Sequence, residues 1–191
     1  LEFRRVLFRS MKIVNANIVD VVNGDVLERK TIHIDKGIIT NIDGSTPLVN
    51  EDVFDAAGKF VVPGIISCHT HLSVVFPFSD TDENESPAIT AFRAATRAQQ
   101  ALASGITTIR CVHEQNKVDL FLKAAIKRGW SKAPRIFGAG RALSTPNGHG
   151  AGSACSYAEG FEGFYQAALD ELKAGADHLD RKSTRLNSSH E

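Results

Sequence analysis

From Met11 the chain alternates apolar and polar positions with a period of two. In MKIVNANIVDV, Ile13, Asn15, Asn17 and Val19 interleave with Val14, Ala16 and Ile18, which puts successive side chains on opposite faces of a strand. Asn23-Gly24 interrupts the pattern, TIHID resumes it, Lys36-Gly37 interrupts again and IITNI follows. A Gly-containing pair between two extended runs is a hairpin signal, because such turns need a left-handed backbone that Gly adopts without strain. VFDAAGKFVVPG closes the stretch as a strand running into a turn. Residues 11–62 therefore predict a small β-sandwich segment of short, half-buried strands.

From Pro63 the period changes. IISCH is a short apolar strand. Residues 89–103 then carry Phe92, Ala95, Ala98 (or Gln99) and Leu102 at helical spacing, and TTIRC returns to strand. Val118, Phe121, Leu122, Ala125 and Ile126 mark a second helix stopped by Gly129, and RIFGA is the next strand. Phe161, Phe164, Ala168, Leu169 and Leu172 form a third helical stripe closed by Gly175. These stripes are read as core-packing faces. Strand and helix in alternation build a parallel sheet from βα units. The fold class is α/β, with three complete units over 63–179 and a fourth strand starting at Ala176.

Both ends break this pattern. With one choice of codons, Leu1 to Ser10 (LEFRRVLFRS) reads CTG GAG TTC AGA CGT GTG CTC TTC CGA TCT. The opposite strand, read from its second base, translates as DRKSTRLNS, which is residues 180–188. One DNA string resembling a sequencing-library adapter thus accounts for both ends, and residues 1–10 and 180–191 are expected to be foreign tails.

Removing the tails changes the charge. The whole chain has 22 basic and 22 acidic residues; residues 11–179 keep 16 and 19. Neither balance has the basic footprint of a nucleic-acid binder. A composition of 42% hydrophobic residues excludes a disordered chain, and no apolar run of ~18 residues suggests a membrane partner. The scattered Cys68, Cys111 and Cys155 make no disulfide framework. The reading is a reducing, cytoplasmic location, with a signal peptide upstream of Met11 left open.

The informative chemistry is His69-Thr70-His71. On a strand, positions two apart share a face, so the two imidazoles converge while Cys68 and Thr70 face the other way. Neutral imidazoles are the donors a divalent transition metal such as zinc takes, and the C-terminal end of a strand is where α/β barrels place their chemistry. His-x-His alone is a weak signal; the apolar strand before it and the turn after it strengthen it.

These residues lie in a longer resemblance. Asp55 to Leu72, DAAGKFVVPGIISCHTHL, resembles the start of the catalytic barrel in the amidohydrolase superfamily, with Gly-Lys, Val-x-Pro-Gly and His-x-His in that order. IHIDKGIITNI resembles the strand, turn and strand of the family's N-terminal β domain. ESPAITAFRAATRAQQALASGITTIR and PRIFGAGRALSTPNGHG are similar to the subgroup of imidazolonepropionase-like and prolidase-like enzymes. The resemblance implies a β-sandwich followed by a (β/α)8 TIM-type barrel with one or two divalent ions, zinc first among them. It also implies metal-activated water acting on an amide or peptide-like carbon–nitrogen bond of a small-molecule or dipeptide-like substrate. Deamination is the alternative reaction, and a homo-oligomer is the expected assembly.

His69 and His71 match the first two metal ligands. The family's later ligands, a carboxylated Lys, two His and an Asp, have no counterpart, and Asp180 stands where GADHLD should reach the Lys. The expectation is an N-terminal fragment with three to four βα units, an incomplete catalytic set and at most weak metal binding. His149, in Asn147-Gly148-His149-Gly150, is implied to contact substrate, with a polar loop histidine as the alternative; Asn147 departs from the Gly usual there. His113 and Glu114, just after the second strand, are read as solvated loop residues, with lining the pocket as the alternative; Arg110, at the end of that strand, is a further candidate for lining the pocket. Asp80, Asp82, Glu83 and Glu85 are read as a solvated loop as well.

Overall fold

A computed structural model describes residues 10–46, 52–77 and 80–182; the expected tail residues 1–9 and 183–191 lie outside them. The chain divides into two compact units, residues 1–63 and 64–191.

In the first unit β1 (Met11–Val19), β2 (Val26–Asp35), β3 (Ile38–Asp43) and β4 (Asp52–Asp55) form one sheet in the order β3-β2-β1-β4, and β5 (Phe60–Val61) also pairs with β1. The β1–β2 and β2–β3 pairs are antiparallel, whereas β4 and β5 run parallel to β1. Lys36 (φ +50°) and Gly37 (φ +78°) are consecutive left-handed residues, the backbone a two-residue hairpin turn of matching twist requires. The Asn23-Gly24 turn leans on an aspartate: Asp20 Oδ1 accepts the Val22 and Asn23 amides at 2.9 and 3.2 Å.

The described residues of this unit form a single mixed sheet where two stacked sheets were expected. Val14, Ala16, Ile32 and Ala56 are buried, while Ile38, Ile39, Val53 and Phe54 are exposed. Ile38 and Ile39, like Val53 and Phe54, are neighbours along a strand, so at β3 and β4 both faces of the sheet keep apolar side chains exposed.

The second unit is α/β. Strands β6 (Ile65–Thr70), β7 (Ile106–Cys111) and β8 (Arg135–Phe137) are parallel, in the order β6-β7-β8. Helix α1 (Pro87–Ala103) connects β6 to β7, α2 (Val118–Lys127) connects β7 to β8, and α3 (Gly160–Lys173) follows the short parallel pair β9 (Leu143–Ser144) and β10 (Ser156–Tyr157). Helix α1 starts where the sequence supplies a cap: Ser86 Oγ accepts the Ala88 amide and Pro87 opens the first turn, where a missing N–H costs nothing. The core joins Leu72, Ala94, Ala98, Ile109, Cys111, Val118, Leu122 and Ile136.

Two expectations change here. Phe92, Phe121 and Phe161, read as core residues, are 74%, 64% and 84% exposed. In α1 the buried face runs through Thr90, Ala94 and Ala98; at about 100° per residue, Phe92 lies nearly opposite Ala94. Ala176 to Leu179 also forms no strand. Its backbone is tied instead by single bonds: the Asp177 amide donates to the Gly138 carbonyl (2.8 Å), and Leu143 donates to the Asp180 carbonyl (2.8 Å) and accepts from the Lys182 amide (2.9 Å). Backbone pairing therefore runs through residues 180–182, past the expected boundary at Leu179. No helix among the described residues is long and apolar enough to cross a membrane.

Candidate metal centre

His69 is the penultimate residue of β6 and His71 lies just beyond its end. Their ring centroids are 5.2 Å apart, edge to face at 78°. His69 is exposed and His71 half-buried. His71 Nδ1 lies 3.0 Å from the His113 backbone oxygen. A carbonyl only accepts, so Nδ1 carries the proton and Nε2 keeps its lone pair. Burial lowers the His71 pKa from its ordinary value, the bond to His113 opposing it; the ring is neutral, as a metal ligand must be. Two neutral imidazoles are donors of the type that a tetrahedral zinc site takes. Among the described residues no group of three or more His, Cys, Asp and Glu side chains is placed to hold a metal ion, so the contribution legible here is two imidazoles.

The backbone after His71 is gripped from both sides. Glu114, fully buried, accepts the Leu72 amide on Oε1 (2.5 Å) and both the amide (2.7 Å) and hydroxyl (2.5 Å) of Ser73 on Oε2. From α1, Arg93 donates to the Ser73 carbonyl (2.8 Å) and Arg97 to those of Leu72 (3.1 Å) and Val74 (2.7 Å). Arg93 also pairs with Glu85. Burial pushes the Glu114 carboxyl up to about 7, against the hydrogen bonds from Ser73 and Leu72 that hold it down.

His113 is 1% exposed. Its Nδ1 accepts the Ala142 amide (3.0 Å), so the proton sits on Nε2 and is donated to the Ser153 carbonyl (2.8 Å). Burial pushes its pKa down to about 4. The solvated-loop reading of His113 and Glu114 is thus replaced by burial, and neither His113 nitrogen is left for a substrate. A pH effect follows. The folded-state pKa lies below the ordinary 6.5, so between these values the unfolded chain binds the extra proton. Stability from this group is complete above about 6.5 and lost as pH falls towards 4. Urea unfolding of the parent and of His113→Gln is expected to show a stability gap that narrows by about 3 kcal/mol across that window; the opposite titration of Glu114 is common to both proteins.

The other candidates are dispersed. Arg110, exposed at the end of β7, donates to the Cys68 carbonyl at 3.2 Å. His149 is partly exposed, and its carbonyl accepts from Ser144 Oγ at 3.0 Å. Gly148 is required by packing, since a Cβ there would meet Ser144 Oγ at 2.5 Å. The acidic loop is not simply solvated: Glu83 Oε1 accepts from the Ala154 amide (2.7 Å) and the Tyr157 hydroxyl (2.8 Å). Cys111 and Cys155 are buried, their thiols pushed up by burial, so neither is a ready thiolate.

Two further buried carboxylates escaped the sequence reading. Asp119 of α2 accepts the Gly140 amide (3.0 Å), and Glu171 of α3 accepts the Arg141 amide (3.2 Å) and pairs with Lys117 (3.1 Å). Asp119 between Val118 and Leu120, and Glu171 before Leu172, are acidic residues within apolar stretches, and that was the available signal.

A profile of the amidohydrolase family matches residues 60–185. The chain is similar to a dihydroorotase from Caldanaerobacter subterraneus subsp. tengcongensis, 33% identical over 108 residues that cover 56% of this chain and 22% of that protein. It is similar to an adenine deaminase from Listeria welshimeri, 35% identical over 97 residues, 51% of this chain and 14% of that one. Among solved structures it resembles a prolidase complexed with N-methylphosphonate-L-proline, with a TM-score of 0.82 and 26% identity over 90% of this chain and 46% of that one. A Xaa-Pro dipeptidase with bound methionine gives a TM-score of 0.77 at 26% identity, again over 90% and 46%. The chain spans less than half the length of each of these relatives. With the profile matching more than half of its residues, the chain belongs to the amidohydrolase family.

Proposed function

We propose that this chain carries the first two metal-ligating residues of a hydrolase that cleaves amide or peptide-like carbon–nitrogen bonds in a small-molecule or dipeptide-like substrate. The observation that carries it is the His69–His71 pair at the end of β6, with His71 Nδ1 committed to the His113 carbonyl. Strands β6, β7 and β8 are then the first three of a (β/α)8 barrel, and the first unit is one layer of the β-sandwich. His69 and His71 would hold one or two divalent ions, zinc first among them, which would supply Lewis-acid polarisation of the scissile carbonyl and activation of water. Glu114, Arg93 and Arg97 fix the backbone that follows, and His149 is the substrate-facing candidate on the loop after β8.

The likeness to a prolidase and a Xaa-Pro dipeptidase supports a dipeptide-like substrate; the likeness to an adenine deaminase supports deamination as the second reading. Two imidazoles are half a tetrahedral donor set, so this polypeptide alone is expected to bind metal weakly and to turn over no substrate. Calorimetric titration with Zn2+ tests the assignment. His69→Ala and His71→Ala should each weaken binding at least tenfold, and a double variant that binds as the parent does removes the assignment.

A further inference from the structure

We propose that His113 and Glu114 are the positioning residues of His71, and that the loop after β8 sets their hold through the His113 imidazole. This rests on the reading of His71 as a metal ligand. The His113 carbonyl takes the His71 Nδ1 proton, which fixes the tautomer and the ring orientation together. Glu114 takes the amides of Leu72 and Ser73 and the Ser73 hydroxyl, so the backbone on the far side of His71 turns only by breaking three hydrogen bonds.

The pair is itself anchored by one loop. The His113 ring is lodged between the Ala142 amide and the Ser153 carbonyl, and the Glu114 amide donates to the Gly140 carbonyl at 2.8 Å. Side chain and backbone of two adjacent residues are therefore tied to residues 140–153, and their other groups hold His71 and its two successors. Neither residue needs to touch a metal for this. Each acts through His71, and displacement of the loop after β8 reaches the ligand through a two-residue lever.

Two-dimensional NMR of the full chain labelled with 15N-histidine, without metal, reads the tautomer directly. His71 is expected to carry its proton on Nδ1, whereas a free imidazole carries it mainly on Nε2. In His113→Gln and Glu114→Gln the His71 signals should move towards a mixture of tautomers, and Zn2+ affinity should fall about 10- to 100-fold while the circular dichroism of the fold is kept. A parent His71 protonated on Nε2 overturns the proposal, and so do folded variants that bind Zn2+ as tightly as the parent. If a variant does not fold, the parent tautomer decides. A His71→Ala protein that binds Zn2+ unchanged defeats the metal assignment instead, and the tautomer measurement separates the two failures.

Discussion

Glu114→Ala is expected to destabilise the second unit by about 4 kcal/mol, because it strands the buried amides of Leu72 and Ser73 at about 1 to 3 kcal/mol each and frees the Ser73 hydroxyl as well. Against the 5 to 15 kcal/mol typical of a domain, that is a large fraction. The lower midpoint in urea unfolding measures it. The matched controls are Phe92→Ala and Phe161→Ala: both rings are mostly exposed, and surface substitutions stay within about 0.5 kcal/mol. The prediction therefore ranks an acidic residue after a strand above two phenylalanines. Were Phe92→Ala to cost more than Glu114→Ala, the account of what holds the loop after β6 would be wrong.

That ranking reverses what the sequence suggested, for a physical reason. A period of two is local, so the convergence of His69 and His71 on one face could be read from two positions in one strand. The order of strands and helices was legible for the same reason. The burial of His113 and Glu114 was not, because their partners are Ala142, Ser153, Leu72 and Ser73, each 29 to 42 positions away. A polar pair after a strand reads as solvent-facing until the neighbouring loops are in place. In α1 the stripe containing Phe92 gave the helix but not the face that packs; Ala94 and Ala98 take the core because small side chains let a helix lie close to a sheet. The alternation in residues 11–62 fits one layer or two equally well, so the expectation of two stacked sheets went beyond what the pattern carries. At the other end, the pairing of Leu143 with residues 180–182 uses backbone groups alone, which almost any sequence supplies. A change in side-chain character at Asp180 therefore does not stop it.

The second large effect is expected at Gly140, which touches the buried carboxylates of Asp119 and Glu171 and accepts the Glu114 backbone amide. Its φ is +69°, and a Cβ there would lie 2.3 Å from Glu171 Oε2 and 3.6 Å from Leu120 Cδ1. The left-handed backbone costs an alanine about 1 to 2 kcal/mol. Glu171 cannot swing aside cheaply, because it is 1% exposed and held by Lys117, the Arg141 amide and Ser156; breaking part of that set adds about 1 to 3 kcal/mol. Gly140→Ala should therefore lose about 4 kcal/mol in urea unfolding. Gly129→Ala isolates the backbone contribution: its φ is +74° with no atom within 4 Å of the added Cβ, so it should lose only about 1 to 2 kcal/mol. The excess at Gly140 also has a direction. The Gly140 amide donates to Asp119 and its carbonyl accepts the Glu114 amide, so displacing this residue pulls on Glu114 and, through it, on Leu72 and Ser73 beside His71. Gly140→Ala should weaken Zn2+ binding along with stability, whereas Gly129→Ala should leave it unchanged. Equal losses in the two variants would mean that the contacts of Gly140 do not couple the loop after β8 to the histidine pair.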